Sequence, residues 1–232
     1  MKMKYSALVS DARNKLNGSV AAKNRYGQYL RNKVTPVNPQ TSFQQNVRQT
    51  LAAISASWRE LTFAQRASWD AGTVNFPFTD IFGDVRQYSG QTLFVKLNAN
   101  LAKIGQPLVN VAPLPAGFAE IASTGVVAEA TAGVLTDLTA SFNIATVPAG
   151  YALAVYATPP TAPGINFVKN RFRFIGTATV TANDADLLTA YTDRFGTAAV
   201  VGQRIFLRFA LVNSSTGQQG VPVQAVEPIV AS

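Results

Sequence analysis

From Thr41 onward the apolar positions fall into helical register. Phe43, Val47, Leu51, Ile54 and Trp58 recur at spacings of four, four, three and four, which is one face of a helix. Thr41, with Gln44 three residues on, has the form of a capping box, in which side chains satisfy the first free backbone donors. Thr62 and Gln65 repeat the device for a second helix over about 63–71, which Gly72 is expected to stop. Arg59, Glu60 and Leu61 then form the elbow, and Trp58 and Trp69 are expected to face each other across it as a clasp. A third helix is predicted over about 90–104, with Ser89 as its cap and Leu93, Phe94, Leu97, Leu101 and Ile104 as its buried stripe. Residues 73–88 read as a loop, but Phe76, Phe78, Phe82 and Tyr88 make it too apolar to stand in water.

Beyond Gly117 the period changes from helical to alternating. YALAVYAT (151–158), RFRFIGTATV (171–180) and QRIFLRFALV (203–212) are the clearest strands, and weaker runs lie at 125–131 and 134–144. In QRIFLRFALV, Ile205, Leu207, Phe209 and Leu211 point one way while Arg204, Phe206 and Arg208 point the other, the pattern of a half-buried strand. NSSTG (213–217) is a turn into GVPVQAV. About six or seven short strands in this half predict an antiparallel β-sandwich of immunoglobulin-like type, and an α+β chain as a whole.

Neither period persists in residues 1–40, where glycines and prolines interrupt a mixture of basic residues and tyrosines. This segment is expected to be an extended arm, closed by VTPVNP, because the residue before each proline is pushed out of the helical region. The expected division is therefore an arm (1–40), a helical module (41–104), a linker (105–117) containing Pro107, Pro113 and Pro115, and a β-domain (118–232).

Charge follows the same division. Residues 1–69 hold eleven Lys or Arg against Asp11 and Glu60, a balance of +9 within a chain whose net charge is +8. A basic block of this kind is either a solvated arm or a contact for an anionic partner. The sequence has no cysteine and no histidine, which removes disulfides, thiolate chemistry, the usual general base near neutral pH and the commonest transition-metal ligand. No apolar run of membrane-spanning length or secretory leader is found, so the chain reads as soluble and unprocessed, with no membrane partner and no cofactor.

Several motifs invite sharper readings. The helical pair in front of Gly72 has the outline of a helix-turn-helix, but its second helix offers Gln65 and Arg66 and little else that reads bases. Asp184 and Asp186, with Asp193 nearby, have the oxygen content of a calcium loop without its glycine and distal glutamate, so a turn or a capped helix start is expected. Arg171, Arg173, Arg204 and Arg208 are expected on solvated strand faces.

The run KVTPVNPQTSFQQNVRQTLAAISASWRELTFAQRASWD resembles a module found in uncharacterised structural proteins of tailed phages and prophages of Bacteroidetes: Asn-Pro-x-Thr, a glutamine-and-arginine helix, then W..LT..QR..W. SGQTLFVKLNANL looks like its continuation, and YATPP with FVKNRFRFIG resembles the β-domain that accompanies it, so the similarity covers most of residues 18–227. The resemblance implies a virion component and carries no catalytic residues. Three functions stay open: a capsid-associated head protein, a tail, neck or baseplate part that meets the host surface, and a nucleic-acid-binding packaging or regulatory protein. The expected partners are other virion subunits, further copies of the chain, or packaged nucleic acid. The residues expected to make contact are Lys15, Lys23, Arg25, Tyr26, Tyr29, Arg31 and Lys33 of the arm, with Trp58, Arg66 and Trp69 of the helical pair.

Overall fold

Asn17-Gly18 turns the chain back on itself near its start. In the computed structural model, which describes residues 11–24, 27–80 and 82–232, three short strands follow one another: β1 (Asn14–Leu16), β2 (Ser19–Asn24) and β3 (Gly27–Asn32). They form an antiparallel sheet in the order β1-β2-β3, with Leu16 opposite Ser19 and Asn24 opposite Gly27. The described residues within 14–32 thus form a folded meander, where a single extended arm was expected. The signal lies in Asn17, whose φ of 52° is a left-handed value that asparagine tolerates and that a two-residue hairpin turn uses. This sheet belongs to one of two compact units, residues 1–45; the other comprises residues 46–232.

The helices begin where their caps place them. Helix α1 (Ser42–Glu60) starts with the Gln44 amide donating to Thr41 Oγ1 at 3.4 Å. Helix α2 (Phe63–Gly72) has the full capping box: Gln65 N donates to Thr62 Oγ1, and Thr62 N donates to Gln65 Oε1 at 2.8 Å. A 3-10 turn at Thr73–Asn75 carries the coil past Gly72, whose helical φ of −66° shows that it is no left-handed stop. A Cβ at Gly72 would stand 2.8 Å from that of Ala112, so the position is small because another segment crosses it. A two-stranded hairpin, β4 (Phe78–Thr79) and β5 (Val85–Arg86), precedes helix α3 (Gly90–Lys103), capped by Ser89. Ile54, Leu61, Trp69, Leu93, Phe94 and Leu97 form the buried centre of this module.

The segment expected as a linker is sewn to that centre. Asn98, buried on α3, accepts from Val109 N at 2.7 Å and donates to Val109 O at 3.2 Å, so one amide side chain completes the backbone bonding of a passing residue. Trp69 Nε1 donates to Asn110 O at 2.9 Å, and Ala112 N donates to Ser68 Oγ. Proline-rich composition signals a break in secondary structure, and here the freed backbone groups find side-chain partners.

Eight further strands make two sheets: β6 (Ser123–Thr131), β7 (Val134–Phe142), β8 (Tyr151–Ala157), β9 (Arg173–Ala178), β10 (Asp184–Asp186), β11 (Arg204–Asn213), β12 (Val223–Pro228) and β13 (Val230–Ala231). Their orders are β10-β7-β6-β13 and β12-β11-β8-β9, antiparallel except for the pairing of β13 with β6. Helix α4 (Leu188–Phe195) lies between β10 and β11. Leu138, Ala140 and Phe142 from one sheet and Leu153, Val155, Leu207 and Phe209 from the other share one core. The chain is therefore α+β, with four α-helices and several antiparallel sheets among the described residues.

Strand β11 departs from the expected half-burial, because Phe206, Ala210 and Val212 of its second face are also buried. Covering material comes from both sides. Arg208 lies over the Phe172 ring at 4.0 Å, and Lys103, the last residue of α3, lies over the Tyr156 ring at 5.9 Å. At the far end of β11, Asn213 closes a turn by accepting from Ser215 N and Thr216 N. Gly217 follows at φ +70°, and its carbonyl takes a 2.9 Å bond from the Asn100 side chain of α3. A Cβ at Gly217 would collide with the Leu97 carbonyl, so glycine is required both by the backbone angle and by the approach of α3.

Candidate functional site

The small N-terminal sheet sorts its side chains by register. Lys15 pairs with Val20, and Val20 with Arg31, so these three form one row across the strands on a single face. Tyr29, opposite Ala22, lies on the same face, since residues two apart along a strand point the same way. Lys33 follows Arg31 by two and is tied back by its amide, which donates to Gly18 O at 2.9 Å. A groove of about 740 Å³ results, lined by Asn14, Lys15, Val20, Arg31, Asn32, Lys33 and the Val34–Pro36 segment.

Among the described residues, three cations and no carboxylate line this groove. The acid nearest in sequence, Asp11, is held by Arg13 at 2.9 Å and by Gln28 at 3.1 Å. Gln28 pairs with Lys23, and this pair shares the opposite face with Ala21 and Leu30. Lys23 is thus separated from the other three cations. Arg25 and Tyr26, along with Tyr5, lie outside the described residues. Chemically, the groove can receive carboxylates or phosphates on Lys15, Arg31 and Lys33, with the Tyr29 ring as a flat apolar neighbour.

The two tryptophans do not face each other. Phe94 of α3 stands between them: its centroid is 5.3 Å from Trp69, ring edge to face at 89°, and 5.3 Å from Trp58 at 53°. The clasp therefore joins three helices. Trp69 is fully buried and Trp58 half-buried. Arg66 is also committed within the chain, since its Nη2 donates to Arg59 O at 2.6 Å in the last turn of α1, where a cation meets the negative end of the helix. What α1 does expose is the front of its stripe: Phe43, Val47 and Leu51 are 46%, 68% and 50% exposed, while Ile54, farther along the same stripe, is 1% exposed.

Elsewhere the carboxylates are used locally. Asp186 accepts from Leu188 N in a turn that leads into α4, whose N-cap residue Leu187 makes no side-chain cap, and Asp184 accepts from Ser141 Oγ at 2.6 Å. No group of three or more metal-binding side chains occurs among the described residues, and none of their helices is long and apolar enough to cross a membrane. Comparison with protein-family models, with curated proteins and with solved structures finds no match.

Proposed function

We propose that the chain is a non-enzymatic structural protein of a tailed-phage virion, a capsid-associated head component that docks on neighbouring shell subunits through its basic N-terminal sheet. The observation that carries this reading is the groove of Lys15, Arg31 and Lys33, three cations with no carboxylate among the described residues of the lining. Such a groove matches an acidic surface. Tyr29 on the same face favours a shaped protein partner over a uniform run of phosphates. The sequence resemblance to phage structural proteins supports the setting.

In the same reading the two four-stranded sheets are an immunoglobulin-like sandwich. Taking β6 as strand A, the order β10-β7-β6 corresponds to E-B-A, and β12-β11-β8-β9 corresponds to G-F-C-C′. Domains of this architecture act by surface contact, in keeping with a chain that has neither histidine nor cysteine. The test is quantitative mass spectrometry of purified particles from the phage or prophage that encodes the chain. A head component is present at a fixed, high number of copies per particle. A chain absent from particles that instead binds duplex DNA with a steep salt dependence is a packaging or regulatory protein, and the proposal fails.

A further inference from the structure

The domain of residues 118–232 is electrically divided between its two sheets. On β7, alternation sends Leu138, Ala140 and Phe142 into the core and places Asp137, Thr139 and Ser141 on the outer face. Register sets Glu129 of β6 directly opposite Asp137, and sets Asp186 and Asp184 of β10 beside Thr139 and Ser141. Four carboxylates share that face. No Lys or Arg occurs anywhere between residues 104 and 168, so the face has no cation of its own. Like charges directly opposite each other destabilise a sheet, and Glu129 facing Asp137 is such a pair.

The outer face of the second sheet is the reverse. Arg204 and Arg208 stand on it from β11, with Tyr156 opposite Arg208 and Phe174 opposite Tyr156. The stacking of Arg208 on Phe172 brings the loop bearing exposed Lys169 and Arg171 to this face, and Lys103 reaches it over Tyr156. Residues 151–183 contain no Asp or Glu. Among the described residues none of these cations and none of the four carboxylates enters an ion pair with another; the ion pairs there are Asp11–Arg13 and Arg86 with Asp80 and Asp84.

We propose that copies of this chain associate head to tail, the acidic outer face of one β-domain seated on the basic outer face of the next. A second copy is the occupant because each chain carries both halves of the contact in equal number, on opposite sides of one two-sheet body. A two-fold symmetric pairing would set like charge against like, so the contact is heterologous. It makes a ring if the rotation between copies closes and an open stack if it does not. The cations of the next copy would also neutralise the Glu129 and Asp137 pair, which no ion pair among the described residues does. This inference does not depend on the virion reading.

Sedimentation velocity on the full chain tests it, with two double variants: Lys169→Glu with Arg171→Glu, and Glu129→Lys with Asp137→Lys. All four residues lie outside the core, so melting temperature and circular dichroism should match wild type and confirm folding. Wild type should self-associate at low ionic strength, with an association constant that falls by about tenfold or more on going from about 0.01 M to about 0.15 M salt, as screening shortens the reach of exposed charges. Each variant alone should stay monomeric. Mixed one to one, the two should associate again, because each keeps the face the other has lost and their two altered faces are themselves opposite in charge. A monomeric wild type at low salt, a variant that associates as wild type does, or a mixture that fails to pair while wild type associates would each overturn the proposal.

Discussion

Tyr191 is buried in the shared core, and its hydroxyl donates to Thr158 O at 3.0 Å. Burial disfavours the phenolate and raises its pKa above the ordinary value of 10.0. The unfolded chain therefore releases this proton first as the solution becomes alkaline, so the contribution of Tyr191 is complete below pH 10.0 and is lost as pH rises above it. Tyr191→Phe should start less stable by about 1–3 kcal/mol, because the Thr158 carbonyl loses its partner. Its melting temperature should then fall less steeply than that of wild type above pH 10.0. Burial lowers the pKa of Lys103, which acts in the opposite sense, but this is common to both proteins and cancels in the comparison. Parallel curves would contradict the assignment. Trp69, fully buried and bonded to Asn110, offers a second test at this scale: Trp69→Ala should cost about 3–5 kcal/mol in chemical denaturation, and Trp58→Ala distinctly less, since Trp58 is only half-buried.

At the scale of elements, the helices are held at their starts and the small sheet at its first turn. Thr62→Ala removes the acceptor of the Gln65 amide and should lower stability by about 1 kcal/mol. Asn17→Val places a β-branched residue at a left-handed angle, so limited proteolysis should cut residues 11–34 faster than in wild type while leaving the β-domain intact. The helices were legible in the sequence because their period is long and their caps are chemical: Thr62 with Gln65 and Ser89 with Thr92 sit where the spacing puts them. The N-terminal meander was not, because three strands of three to six residues are too short for alternation to show and only Ala21 of the sheet is buried. Asn17-Gly18 was the one readable sign of it. Phe94 between the tryptophans was equally hidden, since helical spacing gives the face a side chain occupies and not the ring that meets it from another helix.

At the scale of the molecule, charge and fold divide along different lines. The basic block read from residues 1–69 survives as a surface feature only in part: the sheet gathers Lys15, Arg31 and Lys33, turns Lys23 to the other face, and Arg66 is spent on a carbonyl. In residues 70–232 the near balance of charge conceals two faces of opposite sign, because sequence totals average over strands that the fold places back to back. The helical module approaches the β-domain most closely at one small residue, Gly217. Gly217→Ala should release α3 from the β11 turn and turn one unfolding transition of residues 46–232 into two, as read by calorimetry. The claim that the N-terminal sheet is the docking element is tested most directly by particle incorporation of a full chain carrying Lys15→Glu, Arg31→Glu and Lys33→Glu. Assembled in place of wild type, this variant should keep the wild-type melting temperature and be missing from purified particles. Incorporation at wild-type copy number would contradict the account and move the docking contact to another part of the chain.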